Sequence, residues 1–425
     1  MTVTETAPSR PRRIGGLLHQ HDFRMLWVGE TTSRLGTTIT GIAIPLIAVD
    51  TLHASTFLVG LLDALAWLPW LLIGLPAGVL TDRLSRRPTM LVCDAVSVLL
   101  LLSVPLLAFA GALTMTHLLV VALLLGVTTV FFTTAYQAYL PTVVAKEDLP
   151  EGNAKLQASD QAAAIAGPGI GGLIAQFVGA VFGLLIDIVT FVVSACCLLR
   201  IRSAEPPPAG SGPRRSLRAD VGEGLSFVSR DPYLRVLVTC GAIDNFVLTA
   251  THSLLVVFLI RDVGVSPGTT GLLLTADAIG GVLGALVATR FARRFGTGRG
   301  LLYATLGSAP FGLLIPLTDV GPGLLFFFFG LLVPAAGLVI GNVIAAVFRQ
   351  SYTPPELIGR VFASARFIQF GVIPLGAVTG GWAGTVLGVR DALWLLLILG
   401  LLGRCVRLVG PPARCRDLPT SPPVR

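Results

Sequence analysis

Charged residues are scarce in this chain of 425 residues. Asp, Glu, Lys and Arg together make up 13% of it, whereas soluble domains carry about 25%. Hydrophobic residues make up 53%, and the mean hydropathy is +0.81. This composition excludes an ordinary soluble domain and places the chain in a lipid bilayer.

Lysine, histidine and cysteine are few, and none falls in a pattern that carries chemistry. Lys146 and Lys155 both follow Ala rather than Gly, which excludes a phosphate-binding Walker loop. The five histidines form no HExxH zinc motif, and no Gly-x-Ser-x-Gly hydrolase motif is present. The six cysteines lack CxxC spacing, so neither a disulfide framework nor a zinc site is indicated. We therefore expect no enzymatic activity, no cofactor and no bound metal.

Long apolar runs dominate the sequence instead. A helix rises about 1.5 Å per residue and the hydrocarbon core is about 30 Å thick, so each crossing needs about 20 apolar residues. Gly and Pro interrupt several of the runs, which membrane helices tolerate. Twelve spans are predicted, at 25–49, 57–80, 89–110, 117–140, 157–178, 180–199, 236–260, 268–290, 300–318, 322–347, 361–384 and 386–408.

Arginine and lysine predict the orientation, because basic residues in short loops stay in the cytoplasm. With the N-terminus inside, 27 basic residues fall on the cytoplasmic side and only Arg261 and Arg390 on the other. We therefore expect a multi-pass protein of the cell membrane with both termini cytoplasmic. The same asymmetry and attraction to anionic membrane lipids account for the net charge of +8, so no nucleic-acid partner is expected.

A polar segment rich in Pro, Gly and Arg divides the spans six and six. The fold class predicted is an all-α membrane protein with twelve transmembrane helices in two six-helix halves. Within the dividing segment, Leu217 to Ser229 is predicted to form an amphipathic helix on the membrane surface, with Val221, Leu225 and Val228 on one face. The predicted regions are a cytoplasmic tail at 1–24, a first half at 25–199, a linker at 200–235, a second half at 236–408 and a cytoplasmic tail at 409–425.

The two halves carry similar short basic loops. GVLTDRLSRRP, from Gly78 to Pro88, has a weaker copy in GALVATRFARRFG, from Gly284 to Gly296. Parallel repeats with a substrate path between them are a recurrent transporter design. We predict that both loops are cytoplasmic hinges.

The first loop resembles the signature G-x-L-x-D-R-x-x-R-R of the major facilitator superfamily, carried here by Gly78, Asp82, Arg83, Arg86 and Arg87. Within the superfamily, two stretches are similar to the drug:proton antiporter branch, which includes the enterobactin exporter and macrolide efflux proteins. They are Leu140 to Ile174, LPTVVAKEDLPEGNAKLQASDQAAAIAGPGIGGLI, and Arg349 to Gly381, RQSYTPPELIGRVFASARFIQFGVIPLGAVTGG. The fourth span departs from many proton-coupled exporters because it lacks the Arg of an R-x-x-Q-G motif.

The resemblance implies export of a small amphiphilic molecule, a drug, antibiotic or siderophore, by proton antiport with alternating access. A proton-coupled importer of the same fold is the alternative. The expected partners are the substrate, protons and membrane lipids, and the chain is expected to act as a monomer. In the family, the loop signature is thought to latch the halves in the outward-facing state, a role that Asp82 would take here. Arg86 and Arg87 could equally serve membrane topology alone.

A glycine-rich element in the fifth span contains Gly167, Pro168, Gly171 and Gly172. It formally contains GxGxxG, but no strand precedes it, so a dinucleotide site is excluded. Glycine lets a neighbouring helix approach closely, and proline leaves a carbonyl unpaired and bends the helix. The resemblance identifies this element with the G-P-x-x-G-G motif of the family's exporters; ordinary helix packing is the alternative.

Ionisable residues within spans are candidate substrate or proton sites, because each costs about 2.5 to 3.5 kcal/mol at the bilayer centre on insertion scales. Glu30 and Arg34 lie one turn apart and are predicted to pair. Asp63 and Asp277 occupy equivalent spans of the two halves and are favoured as a proton or cation site, although any of the carboxyls could form an ordinary helix–helix hydrogen bond. A cavity for an aromatic or amphiphilic substrate could be lined by Trp67, Trp70, Phe131, Phe132 and Phe246, although lipid contact and helix packing are commoner roles for such residues. The full set of ionisable candidates is Glu30, Arg34, Asp63, Asp187, Asp244, Asp277 and Arg366, the last of which could instead reach Asp82.

Overall fold

A computed structural model describes residues 16–81, 84–203, 217–354, 357–411 and 415–419 of the chain. The regular secondary structure of these residues is entirely helical. Six long helices form the first half and coincide with the first six predicted spans. They are α1 (His21–Leu46), α2 (Thr56–Thr81), α3 (Arg86–Phe109), α4 (Met115–Val143), α5 (Leu149–Phe177) and α6 (Ala180–Arg200).

The second half follows a helix of the linker, α7 (Leu217–Arg230). Two of its spans, the ninth and the eleventh, are each assembled from two helical pieces of 9 residues or more, and a short helix follows the last span. The helices are α8 (Pro232–Val257), α9 (Pro267–Phe295), α10 (Thr297–Ser308), α11 (Leu324–Tyr352), α12 (Ile358–Gly371), α13 (Ile373–Leu387), α14 (Val389–Arg404) and α15 (Val406–Val409).

Ten helical segments of the described residues are long and apolar enough to cross a membrane. The helices α5 and α14 complete the bundle without meeting that standard. The first carries Glu151, Lys155 and Asp160, and the second has 16 residues. Both pack among the spanning helices, α5 against α1 and α9, and α14 against α8 and α13. The predicted all-α membrane fold of twelve spans is confirmed.

Prolines lie at the interruptions of two spans in the second half. The ninth span begins as α10 and continues as a 3-10 helix, Ala309–Leu317, which contains Pro310 and Pro316. The eleventh span divides at Val372 between α12 and α13. Pro374 lies in the first turn of α13 and has no N–H to bond a carbonyl of the preceding turn, which favours a break at this point.

Buried apolar side chains distinguish the two ends of the bundle. At the end where α1 and α8 finish, called here the joined end, one cluster includes residues of both halves, such as Val59, Leu62, Leu254 and Ala383. At the opposite end, called the divided end, the buried residues form two clusters, each drawn from one half. The described parts of both chain termini pack here. The halves therefore share a core at the joined end and have separate cores at the divided end.

The linker helix predicted from Leu217 to Ser229 is present as α7. Its apolar face does not lie on the membrane surface throughout, because Val228 is buried in the core of the second half and α7 packs against α12. Leu225 is exposed, and the side chain of Val221 lies outside the described residues. Tertiary packing thus takes up part of the surface that the sequence pattern assigned to lipid.

Candidate functional site

The two halves meet at the joined end through glycines that bring helix backbones into contact. Gly172 of α5 crosses Gly271 of α9, and a Cβ added to Gly172 would lie 2.8 Å from the Cα atom of Gly271. The carbonyl oxygen of Pro168 also faces Gly271. A carbon atom normally needs about 3.5 to 4.0 Å. No larger residue fits this crossing without separating the helices.

The other glycines of the element in α5 face the first half. Gly167 packs against Thr38 and Gly171 against Ile39, both on α1. The element therefore packs one side of α5 against its own half and brings the other side against α9. Ordinary helix packing, the alternative interpretation of this motif, describes the side that faces the first half, and the sequence did not indicate that the other side would contact the second half.

A second glycine crossing joins α2 to α13. A Cβ added to Gly60 would lie 2.8 Å from the Cα atom of Gly381, and one added to Gly381 would lie 3.1 Å from the Cα atom of Gly60. The α2–α13 and α5–α9 crossings each link one helix of the first half to one of the second. The joined end is thus closed by two backbone contacts of the same kind.

Hydrogen bonds between the halves supplement the glycine crossings. Arg261, which follows α8, donates through Nη2 to the carbonyl oxygens of Val49 and Ala54 at 3.2 and 2.7 Å. In the other direction, Oε1 of Gln176 accepts from the Ser266 hydroxyl at 3.0 Å and from the Gly268 amide at 3.1 Å. Arg261 is one of the two basic residues that the sequence assigns to the outer side.

A cavity of about 470 Å³ lies between the halves toward the divided end. This volume falls in the range of small-molecule sites, about 300 to 1,000 Å³. The rings of Trp67 and Phe370 stack 6.5 Å apart and 19° from parallel where α2 meets α12. The lining is mainly apolar with one charged side chain: Trp70, Leu71, Gly74, Phe362, Ala363, Arg366, Phe367, Phe370 and Gly371.

Arg366, a predicted site residue, is the charged group of this cavity. Arg349 of α11 lies nearby, with its guanidinium 5.4 Å from the centre of the Phe362 ring. Of the aromatic residues proposed as cavity lining, Trp70 lines this space and Trp67 stacks beside it. Phe132 lines a different cavity, inside the first half.

Inside the first half, Arg34 links two carboxylates. Its Nε atom is 2.7 Å from Oε1 of Glu30, which confirms the pair predicted from the one-turn spacing, and 3.5 Å from Oδ1 of Asp160 on α5. Glu30 is buried, whereas Arg34 and Asp160 are about one-third exposed. The sequence interpretation missed Asp160, although it falls within the fifth predicted span.

Two further buried carboxyls line a cavity of about 80 Å³ in the same half. Asp187 of α6 accepts hydrogen bonds from the hydroxyls of Thr40 at 2.5 Å and Thr190 at 2.9 Å. Asp94 of α3 accepts one from Ser194 at 2.9 Å. Asp94 was not among the predicted residues, although a single acid in the otherwise apolar run 89–110 is a signal that could have found it.

The carboxyls of the second half have basic partners. Asp244 of α8 pairs with Arg404 through Nε at 2.8 Å, and also with Nη2 of Arg407. Oδ1 of Asp277 lies 3.9 Å from Nε2 of His252. The pair with His252 was not predicted, because α8 and α9 bring together residues that the sequence separates.

Asp63 and Asp277 do not share a site in this structure. Asp63 is half-buried on α2, between Gly60 of the crossing and Trp67 of the aromatic stack. Asp277 lines a cavity within the second half. That Asp63 and Asp277 serve as a proton or cation site on corresponding helices of the two halves therefore stays a prediction.

The basic loop after α2 is described only in part. Asp82 and Arg83 lie outside the described residues, so the predicted latch stays a prediction. Gly78 is half-buried near the end of α2. Arg86 begins α3, and Nη2 of Arg87 donates to the carbonyl oxygen of Leu199 on α6 at 2.8 Å. The contact made by Arg87 therefore lies within the first half.

Comparison with known proteins bears on both family and fold. A family model of the major facilitator superfamily, described as transmembrane secretion effector, matches residues 16–413. The chain belongs to this family. It is similar to the multidrug efflux pump Tap of Mycolicibacterium fortuitum, with 29% identity over 92% of this chain and 96% of that protein. Tap of Mycobacterium tuberculosis strain H37Rv is 31% identical, over 83% of this chain and 84% of that protein.

A further relative is macrolide efflux protein A of Streptococcus pyogenes, with 22% identity over 92% of this chain and 95% of the relative. Among solved structures, the nucleoside transporter NupG superposes with a TM-score of 0.72 and 11% identity, over 91% of this chain and 98% of NupG. A bacterial homologue of the iron transporter ferroportin, in an inward-facing state, superposes with a TM-score of 0.73 and 16% identity, over 91% of this chain and 98% of the homologue. These structures show the major facilitator fold. This family member is a multi-pass membrane protein and an efflux transporter.

Proposed function

We propose that this transporter exports small amphiphilic molecules from the cytoplasm by proton antiport with alternating access. The observation that carries the proposal is the arrangement of the interface between the halves. Glycine crossings close the joined end, and a cavity large enough for a small molecule lies between the halves toward the divided end. The relatives named for multidrug and macrolide efflux support the direction and the kind of cargo.

The positions of the basic residues support a cytoplasmic divided end. Of the basic residues, 27 fall on the side predicted to be cytoplasmic and two on the other. With that orientation, both termini and the linker are cytoplasmic, and the joined end faces outward. The conformation described above is then the inward-facing state, in which cargo enters from the cytoplasm.

The cavity lining supports an amphiphilic cargo. Trp70, Phe362, Phe367 and Phe370 present aromatic surface, which binds an apolar body without requiring a fixed set of hydrogen bonds. The guanidinium of Arg366 can donate to a carbonyl, hydroxyl or acidic group of the same molecule. A site with few polar contacts accepts many cargo molecules, because little is lost when one of them lacks a given group.

Proton coupling supplies the energy in this proposal. One proton that moves down 100 mV releases about 2.3 kcal/mol. One buried carboxyl inside the first half is sufficient for this role, because a carboxyl can hold a proton while it is shielded from water and release it when water reaches the site. In the outward-facing state we propose that Asp82, in the loop after α2, latches the halves by pairing with basic groups of the second half, Arg366 among them.

Purified protein in liposomes tests the proposal. The probes are a radiolabelled macrolide and the dye ethidium, each with a pH-sensitive dye inside the liposome. Antiport predicts that probe and protons move in opposite directions. Movement of both in the same direction would establish the import alternative, and probe flux without proton movement would reject proton coupling.

The cavity itself is tested by Phe367→Ala, with Phe109→Ala as the matched control. Phe109 is 68% exposed at the end of α3, outside the cavity. Loss of one aromatic contact is expected to weaken probe transport roughly tenfold, in line with about 0.5 to 1.5 kcal/mol for an aromatic pair in addition to its buried area. Equal effects of the two substitutions would place the cargo elsewhere.

A further inference from the structure

Asp94 lies at the buried end of a set of charged groups inside the first half. Its side chain is 1% exposed. Oδ2 accepts one hydrogen bond, from Ser194, whereas buried Oδ1 has no hydrogen-bond partner among the described residues. No basic side chain of the described chain forms an ion pair with it. A carboxylate so placed has neither a counter-charge nor a full set of donors.

The surrounding charges do not compensate for this burial. The cavity that Asp94 lines contains three acidic side chains, those of Glu30, Asp94 and Asp187, and a single basic one, Arg34. Arg34 is already shared between Glu30 and Asp160. If all four carboxyls were ionised, the interior of this half would carry a large negative excess.

The free-energy comparison favours a neutral Asp94. An ionised carboxylate moved out of water without a cation pays a desolvation penalty much larger than the loss of one hydrogen bond. A protonated carboxyl carries no net charge, so its burial has a much smaller desolvation penalty. In the conformation described, the acid is therefore expected to hold a proton on Oδ1.

The exposed fraction of the side chain increases from Asp94 to Glu30, and again to Arg34 and Asp160. Glu30 is 5% exposed, and Arg34 and Asp160 are 34% and 39% exposed. Because Asp94, Glu30 and Arg34 line one cavity and Arg34 also pairs with Asp160, these groups connect the buried acid to more exposed positions that a proton can reach from water. Charged and titratable groups from four other helices lie around the site. They are Glu30 and Arg34 of α1, Tyr136 of α4, Asp160 of α5 and Asp187 of α6, together with Cys93 of α3 itself.

We infer that Asp94 is the residue that binds the antiported proton. The inference rests on the proposed proton antiport and deepens it by assigning the site. In the binding step, a hydronium ion gives up its proton, the O–H bond forms on Oδ1, and water leaves. In the release step, the O–H bond breaks, water takes the proton as a hydronium ion, and the carboxylate forms again. Asp94 is a binding residue for the proton, separate from the aromatic cavity of the cargo.

The substitution Asp94→Asn tests this assignment, with Asp187→Asn as the matched control. Both acids are 1% exposed and line the same cavity, but both oxygens of Asp187 accept a hydroxyl. Asp94→Asn should reduce probe accumulation against a gradient by at least about tenfold, a factor that corresponds to about 1.4 kcal/mol. This variant should keep downhill probe flux, and its proton flux should vanish. Asp187→Asn should keep both coupled fluxes.

Proton binding is also measured without transport. Infrared difference spectra of the purified protein in light and heavy water should show a protonated carboxyl band that is lost in Asp94→Asn and retained in Asp187→Asn. If Asp94→Asn fails to fold, Ser194→Ala keeps the acid and removes the hydroxyl donor that favours its ionised form. That variant should shift the pH midpoint of coupled transport upward, and an unchanged midpoint would count against the assignment.

The outcomes separate the two proposals. Wild-type probe export that consumes no protons, or that follows sodium and stops when choline replaces it, would reject proton antiport and with it the assignment. Proton-coupled export that survives Asp94→Asn unchanged would overturn the assignment alone. An infrared band that disappears in Asp187→Asn rather than in Asp94→Asn would overturn it as well.

Discussion

The α5–α9 crossing gives a direct prediction about the balance between conformations. Gly172→Ala adds a Cβ that would lie 2.5 Å from the carbonyl oxygen of Pro267 and 2.8 Å from the Cα atom of Gly271. Normal contacts begin about 0.5 to 1 Å farther away. Overpacking of this kind costs about 1 to 3 kcal/mol. Because the strain exists only while the joined end is closed, the substitution should favour its opening by about 5- to 150-fold.

Gly41→Ala is the matched control. Gly41 also lies within a membrane-spanning helix, but a Cβ added there would meet no atom within 4 Å. Both substitutions gain about 0.5 to 1 kcal/mol from replacing a helical glycine. The difference between them therefore isolates the crossing.

The assay is electron–electron distance measurement between spin labels at the joined end. The labels are placed at Ala112→Cys, in the turn after α3, and Val320→Cys, before α11, in a background with the six native cysteines replaced. Both positions lie near the surface, and Val320 is 60% exposed. Gly172→Ala should move population to longer distances, and Gly41→Ala should leave the distribution unchanged. Identical distributions for the two variants would refute a closing role for the crossing.

Three further predictions concern charged groups. Arg261→Gln removes a guanidinium that bonds across the halves, and the loss of about 1 kcal/mol should raise the labelling of a cysteine placed at the joined end about fivefold. Arg390→Gln should not, because Nη2 of Arg390 bonds Thr318 within its own half. Asp244→Asn leaves buried Arg407 and half-buried Arg404 without their anion and should destabilise the protein by about 3 to 5 kcal/mol, seen as a lower melting temperature in detergent. Asp50→Asn, at an exposed position, is its control. Asp82→Asn should abolish transport but leave membrane insertion intact, and full transport would reject the latch.

Local sequence patterns were sufficient to predict the architecture. Each apolar run is long enough to need a membrane, and the linker divides the runs equally, so the twelve spans follow from composition and length. The pair of Glu30 and Arg34 was equally accessible, because a spacing of four residues brings two side chains together on any helix.

The partners of the other ionisable residues depend on helix packing between distant segments. Asp244 meets Arg404 and Arg407 only because α8 packs beside α14 and α15. Asp94 and Asp187 each have a hydroxyl residue three positions later. Asp187 accepts hydrogen bonds from Thr190 of its own helix and from Thr40 of α1, whereas Asp94 accepts one only on Oδ2, from Ser194 of α6. No spacing rule within a helix distinguishes them.

The glycine crossings could likewise be predicted only in part from the sequence. Sequence indicated that the element in α5 allows a close approach, but its partner, Gly271, belongs to another half of the chain. The second crossing, between Gly60 and Gly381, gave no comparable motif. Contacts between halves depend on the arrangement of whole bundles, which single-helix patterns do not contain.

The central claim is that the cavity between the halves opens to the cytoplasm while the joined end is closed. It is tested most directly by Ala363→Cys, on the cavity lining, in the background without native cysteines. A membrane-impermeant maleimide should label this cysteine in inside-out vesicles, and bound macrolide or ethidium should protect it. Labelling in intact cells from the outside, with none in inside-out vesicles, would contradict the account.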